Sequence, residues 1–359
     1  MPRFYPLKIK TLTPETEECT SILFDCPPDW EEAFRFRQGQ HLTLRAVIDG
    51  EELRRNYSLC SSPAEQSLRV AVKQIEGGKF SSFVNRQLKP GDTLDVMPPT
   101  GTFYTELDPA QAKSYVAFAA GSGITPILSI LKSVLETEPE SRFSLFYLNR
   151  NSRSIIFREE LEGLKNLYMQ RLQVYHFLTR EVQDMPLYNG RFSRKKLDLL
   201  LGRLIDIAHT DEFFLCGPEE MIFEIRDTLL EKGAPAGSIH FELFTTATTQ
   251  ENRTTRQTAK TEAIGSCEVL IKDGGKQFAF TFEPGPESLL DAALKRGADL
   301  PFACKGGVCC TCKAKLLEGK VEMDVNYALE PEEVAAGFVL ACQSHPLTDR
   351  VVLDFDSAL

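Results

Sequence analysis

Pro301–Leu316, PFACKGGVCCTCKAKL, together with Phe338–Gln343, FVLACQ, sets Cys304, Cys309, Cys312 and Cys342 in the order C-x4-C-x2-C-x29-C. Three thiols crowd one loop and the fourth is distant, which is the plant-type spacing for a [2Fe–2S] cluster. Four thiolates must serve two irons, and Gly306 and Gly307 let the loop curl close enough for amides to reach the sulfurs. Structural zinc is the alternative, but zinc knuckles bring two close cysteine pairs. Cys342-x-x-His345 is half of a Rieske pattern, and no C-x-H supplies the other half, so His345 reads as a surface residue. Cys310, off the ligand spacing, reads as a small space-filling residue, and Cys19, Cys26, Cys60 and Cys267 as buried thiols.

Outward from that loop, CEVLIK and QFAFTFE read as strands and are followed by a helix from Ser288 to about Arg296, capped by Glu287 or Ser288. Residues 263–359 thus form a compact domain. Before it, Thr245–Thr261 is dominated by Thr and polar groups, and 246–262 reads as a linker. YVAFAA, FSLFYLN, LQVYHFL and FFLCG alternate with helical stretches, predicting a parallel α/β domain over 108–245. Pro218, Glu219 and Glu220 open the last long helix and Gly233 ends it. Residues 1–107 carry short β-rich runs (Leu7–Leu12, Ser21–Phe24, His41–Val47, Leu68–Val72, Thr93–Val96), predicting an antiparallel barrel or sandwich.

The 359 residues are 42% apolar and 26% charged, values of a soluble globular chain of two or three domains. The longest apolar stretch, Tyr115–Leu135, is interrupted by Gly121, Gly123, Pro126 and Lys132, so no membrane span is expected. The start, MPRFYPLKIKTL, has no signal-peptide core, which implies the cytoplasm and free thiols rather than disulfides. A net charge of −10 argues against nucleic acid as a partner. Residues 263–359 hold 15 acids and 9 bases, net −6, against −4 for the rest, so the tail is the acidic part.

Three further motifs bind nucleotides in principle. Arg55-Asn56-Tyr57-Ser58 offers a guanidinium for a diphosphate, a ring to stack on an isoalloxazine and a hydroxyl for its redox edge. Gly78-x-x-Ser81, opening a helix, offers amides and a hydroxyl to the same diphosphate. Gly121-Ser122-Gly123-Ile124-Thr125-Pro126 follows the strand YVAFA as a glycine turn at a helix N-terminus, with Pro in the last place of G-x-G-x-x-G. FSLFYLNR ends at Arg150 with no acid for a ribose hydroxyl, which favours NADPH over NADH. Cys216-Gly217-Pro218 ends another parallel strand, where a thiol could border the nicotinamide.

RNYS, GGKFS, GSGITP and CGPEEM, in this order, resemble the ferredoxin–NADP⁺ reductase superfamily, and CKGGVCCTC with Cys342 resembles a fused plant-type ferredoxin. FRQGQHLTL, DGEELRRNYSLC, DLPFACKGGVC and NYALEPEEVAAGFVLACQ are similar to the reductase components of ring-1,2-phenylacetyl-CoA epoxidase complexes. The resemblance implies an FAD-binding β-barrel, an NADP-binding α/β domain and a C-terminal β-grasp [2Fe–2S] domain. It implies that Arg55, Asn56, Tyr57, Ser58, Gly78, Phe80, Ser81, Ser82 and Phe244 hold FAD, and that Gly121, Ser122, Gly123, Thr125, Arg150, Gly217, Pro218 and Met221 take NADPH. Ser58, Cys216 and Glu242 would line the hydride path, and Phe244 stands where the Glu-x-Tyr motif has Tyr.

The expected chemistry is hydride transfer from NADPH to FAD, then single electrons through the cluster to an oxygenase, most directly the di-iron component of an epoxidase in phenylacetate degradation. The ring chemistry would lie in that separate component, because no His here has Glu three residues earlier. A reductase for another oxygenase, Rieske or membrane hydroxylase, stays open, as does a non-enzymatic redox sensor.

Overall fold

Alternating inward side chains, Tyr5, Leu7 and Ile9 along β1 (Tyr5–Thr16), give the first strand one apolar face. It joins β2 (Cys19–Asp25), β3 (His41–Ile48), β4 (Glu51–Ser58), β5 (Leu68–Lys73) and β6 (Thr93–Val96) in an antiparallel sheet ordered β4-β3-β6-β1-β2-β5. A bridge from Leu59 to Val70, with Cys60 N–H donating to Arg69 O at 2.8 Å, ties the end of β4 to β5 and closes the sheet into a barrel. Helix α1 (Lys79–Arg86) packs on it through Phe80 and Val84. The computed structural model describes residues 4–244, 265–283 and 285–358; the expected linker, 246–262, lies outside the described residues.

The next strands are β7 (Ser114–Ala120), β8 (Arg142–Asn149), β9 (Leu172–Leu178), β10 (Glu212–Gly217) and β11 (Ile239–Leu243), of which the inner three, β7, β8 and β10, are near-continuous apolar runs because both their faces are covered. All are parallel, ordered β11-β10-β7-β8-β9, and connected through α2 (Ile124–Thr137), α3 (Arg158–Leu167), α4 (Arg194–Leu201) and α5 (Glu219–Glu231). The chain runs outward from β7 through β8 and β9, then returns to β10 on the other side. The switch point therefore falls between β7 and β10, where open α/β sheets bind ligands. Barrel and parallel sheet lie in one compact unit, Tyr5–Phe244.

The tail has a mixed sheet ordered β13-β12-β18-β14-β16, from β12 (Cys267–Asp273), β13 (Lys276–Phe282), β14 (Lys313–Glu318), β16 (Phe338–Leu340) and β18 (Arg350–Asp354). Helix α6 (Leu289–Lys295) buries Leu289, Leu290, Ala292 and Ala293 against it, and its cap is Ser288, whose side chain accepts from Asp291 N–H. A small ribbon pairs β15 (Val321–Met323) with β17 (Ser344–Pro346), and α7 (Pro331–Ala335) precedes β16. Two side chains depart from expectation. His345 sits in β17, mostly covered and 3.0 Å from Asp324 Oδ2, rather than at the open surface. Cys26 is only half-buried, because the chain leaves β2 there for Pro27 and Pro28.

Candidate functional site

Strand ends bring Ser58, Cys216 and Glu242 together. Cys216 on β10 pairs in register with Glu242 on β11 and with Ala119 on β7, and Ser58, the last residue of β4, donates from Oγ to Glu242 Oε2 at 3.1 Å. Burial pushes the Glu242 carboxyl up to about 8 against the smaller opposing effect of the Ser58 hydrogen bond, so it keeps its proton at neutral pH. Burial, and then the neighbouring Glu242, push the Cys216 thiol well up.

His41, on β3 opposite Ser58, is a member of this site that no sequence motif marks. Thr43 Oγ1 donates to Asn56 Oδ1 at 2.8 Å, so Asn56 Nδ2 donates to His41 Nε2 at 3.2 Å. That network assigns the imidazole proton to Nδ1, which faces Glu242 Oε1 at 3.9 Å. Burial lowers His41 to about 4, and the ring is neutral. Asn56 thereby holds a ring in place rather than presenting its amide outward.

The glycine turn is built for close approach. Gly121 has φ +53°, and Tyr147 on β8 donates from its hydroxyl to Gly121 O at 3.0 Å. A Cβ on Gly123 would stand 2.2 Å from Cys216 O, so only glycine lets the turn lie against the end of β10. A Cβ on Gly217 would meet Met221 Cε at 2.7 Å, placing Gly217, Pro218 and Met221 around the opening of α5. Thr125 Oγ1 donates to Ser122 O, and the Asn149 side chain is buried at the end of β8 beside the Tyr147 hydroxyl. Arg150 is half exposed, 3.5 Å from Glu18 Oε2. Lys73, at the end of β5, is a second member without a motif: its Nζ lies 3.5 Å from where a Gly121 Cβ would be, and burial, then Arg150, lower its pKa. Two cations thus flank the turn, one contributed by the barrel.

On the barrel, Tyr57 and Phe80 lie with ring centroids 5.9 Å apart, while Arg55 is exposed and donates to Arg54 O. Gly78 caps α1. Ser81 Oγ accepts from Ile75 N–H and donates to Gly78 O, so its hydroxyl closes the turn, and Ser82 N–H donates to Gly78 O at 3.0 Å, which leaves the amides of Phe80 and Ser81, not that of Ser82, at the helix start. Phe244 directly follows β11 and is partly buried against the core of the parallel sheet.

In the tail, Cys309 Sγ lies 3.0 Å from Cys304 Sγ, and Cys342 is in side-chain contact with Cys304 and Cys312. Contact with Cys304 and burial push the Cys309 thiol well up. Lys305 (φ 50°) and Gly307 (φ 72°) take the left-handed conformation, not Gly306, whose N–H instead donates to Cys304 Sγ at 3.3 Å. A Cβ on Gly307 would press Val325 at 2.9 Å. Gln343, buried, donates to Lys305 O at 3.0 Å and lies 3.6 Å from Cys342 Sγ, tying the distant ligand to the loop. Cys310 turns away and donates to Ala328 O.

These thiols suit a thiolate-bound group: Cys309, Cys312 and Cys342 are buried and Cys304 partly so, the thiols of Cys304, Cys309 and Cys342 are pushed up by their crowding and burial, and only a cation among them would favour four thiolates. Four ligands divided between two irons need not meet at one point, and among the described residues no three His, Cys, Asp or Glu side chains surround a lone-ion site. The ring pair beside α1 suits a flavin, and the Gly121 turn with its two cations suits a phosphorylated nicotinamide.

Comparison with known proteins covers nearly the whole chain. Residues 9–104 match the oxidoreductase FAD-binding domain, 118–227 the oxidoreductase NAD-binding domain, and 265–347 the 2Fe-2S iron-sulfur cluster binding domain. The chain is 46% identical to a component of the 1,2-phenylacetyl-CoA epoxidase of Escherichia coli (strain K12), covering 99% of each. It is 33% identical to the ferredoxin reductase component of 3-ketosteroid-9-alpha-monooxygenase of Rhodococcus rhodochrous, over 97% of this chain and 96% of that one. The solved structure of phthalate dioxygenase reductase shares the fold with a TM-score of 0.59 at 23% identity, covering 98% of both chains. Barrel, parallel sheet and cysteine-bearing tail follow one another here as in those relatives, and the chain belongs to the ferredoxin–NADP⁺ reductase superfamily with a fused [2Fe–2S] domain, as a reductase component of an oxygenase system.

Proposed function

We propose that this reductase draws electrons from NADPH and delivers them to a phenylacetyl-CoA epoxidase in the cytoplasm. When bound, FAD and the [2Fe–2S] cluster turn one hydride into two single electrons. The chain's residues do the rest. Arg55 and the first-turn amides of α1, Phe80 and Ser81 after Gly78, bind the flavin diphosphate, and Tyr57 with Phe244 orients the ring. Gly121, Ser122, Gly123 and Thr125 bring backbone amides to the nicotinamide phosphates, Arg150 with Lys73 reads the 2′-phosphate, and Gly217, Pro218 and Met221 shape the far wall. Cys216 excludes water from the hydride path, and Glu242, protonated, holds a proton beside Ser58 Oγ, 3.1 Å away. Cys304, Cys309, Cys312 and Cys342 ligate the cluster.

The meeting of Ser58, Cys216 and Glu242 at the switch point carries the hydride reading. The acceptor rests on the 46% identity to an epoxidase component, and the acidic tail, net −6, would attract a basic partner surface. No described helix is long and apolar enough to cross a membrane. Rapid anaerobic mixing with NADPH should bleach the flavin before the cluster. Affinity capture of the protein from cells grown on phenylacetate should bring down the other epoxidase components. Capture of a different oxygenase would redirect the acceptor while leaving the cofactor order intact.

A further inference from the structure

Away from the catalytic edge, barrel and parallel sheet meet at a cluster of two cations and two carboxylates. Arg69 on β5 donates from Nη2 to both carboxylate oxygens of Glu160 on α3 at 2.7 Å. Lys132 on α2, 6% exposed, donates from Nζ to Glu160 Oε1 at 2.7 Å and pairs with Glu65, in the turn before β5. One turn earlier on α2, Ser129 Oγ, fully buried, donates to Ser61 O at 2.7 Å. Arg69 also lies 5.1 Å over the ring of Phe157, which precedes α3 with φ 59°. A bulky residue takes that left-handed conformation only where its surroundings over-determine it.

We infer that Arg69, Glu160, Lys132 and Glu65 are positioning residues that fix the barrel against the parallel sheet, and thereby the separation of the flavin edge from the nicotinamide edge. Lys132 is buried and Arg69 and Glu160 partly so; ion groups taken out of water contribute little stability over apolar residues of similar volume, so a four-charge cluster where the barrel edge meets α2 and α3 is better suited to specifying one geometry. Its elements lead to the site at both ends. β5 finishes at Lys73 beside Gly121, and α2 starts at the glycine turn, about 12 Å along the helix from Lys132. Hydride donor and acceptor must stand within about 3–3.5 Å, and a 1 Å misplacement costs about 100-fold in rate. The inference rests on the hydride reading above.

The test uses the full chain, loaded with both cofactors, carrying R69M/E160M, which removes the pair without stranding a charge. Expected are a near-unchanged thermal midpoint, flavin reduction at saturating NADPH slowed at least about tenfold, and a dissociation constant for NADP⁺ changed by less than about threefold. Amide exchange in Ser61–Leu68 should rise while β7 and β8 keep their protection. If the double variant does not fold, E160D, which shortens the bridge by one methylene, is held to the same readouts. Flavin reduction within twofold of the parent rate in either folded variant overturns the inference. A parent protein whose flavin NADPH fails to reduce would instead overturn the hydride reading, so the two failures are distinguishable.

Discussion

Replacing Glu242 with Gln should stabilise the Tyr5–Phe244 unit, and increasingly so as pH rises. The carboxyl is raised from 4.5 to about 8, chiefly by burial. Since its folded pKa stands above its unfolded one, the folded state retains a proton that the unfolded chain releases, and stability falls as pH climbs from about 4.5 to about 8. A shift of about 3.5 units, at about 1.4 kcal/mol each, sets a ceiling near 5 kcal/mol. Water entering on ionisation reduces this to about 2–3 kcal/mol. Gln keeps an acceptor for Ser58 Oγ and does not titrate, so its margin over the parent should grow by roughly 5–10 °C in thermal midpoint between pH 5 and pH 8.5. The single tryptophan, Trp30, packs 5.2 Å from Tyr5 in the barrel, so its fluorescence reports this unit alone. Parallel midpoint curves for parent and variant across that range would refute the reasoning.

Cys309→Ser should abolish cytochrome c reduction and spare ferricyanide reduction in steady-state assays; equal loss of both would break the flavin-before-cluster order. Arg150→Glu should raise KM for NADPH far more than for NADH, and Lys73→Met should do the same to a lesser degree, as measured with each nucleotide in turn. Gly123→Ala forces a methyl to 2.2 Å from Cys216 O, so it should cost about 1–3 kcal/mol in a Trp30 melt and weaken NADPH binding more than tenfold by titration.

The parallel sheet is legible because its strands, such as YVAFAA and FFLCG, are apolar end to end, and β6 reads at its observed ends. β4 does not read as a strand, because EELRRNYS carries four charges in its first five residues and only register with β3 makes it one. The cysteine spacing is a local signal, so the thiol cluster reads directly. His41 and Lys73 do not: a histidine and a lysine in strands carry no pattern, and their place depends on which strand ends converge. Likewise, the left-handed turn at Lys305 has no glycine to announce it.

Cys216 is sealed from solvent, with its thiol far from ionising at neutral pH. Peroxide and alkylating agents attack the thiolate, and attack it where they can reach it. On the proposed hydride path Cys216 would border the flavin, where a reductase can lose electrons to O₂, and a buried, protonated thiol there is the form least open to the peroxide that results.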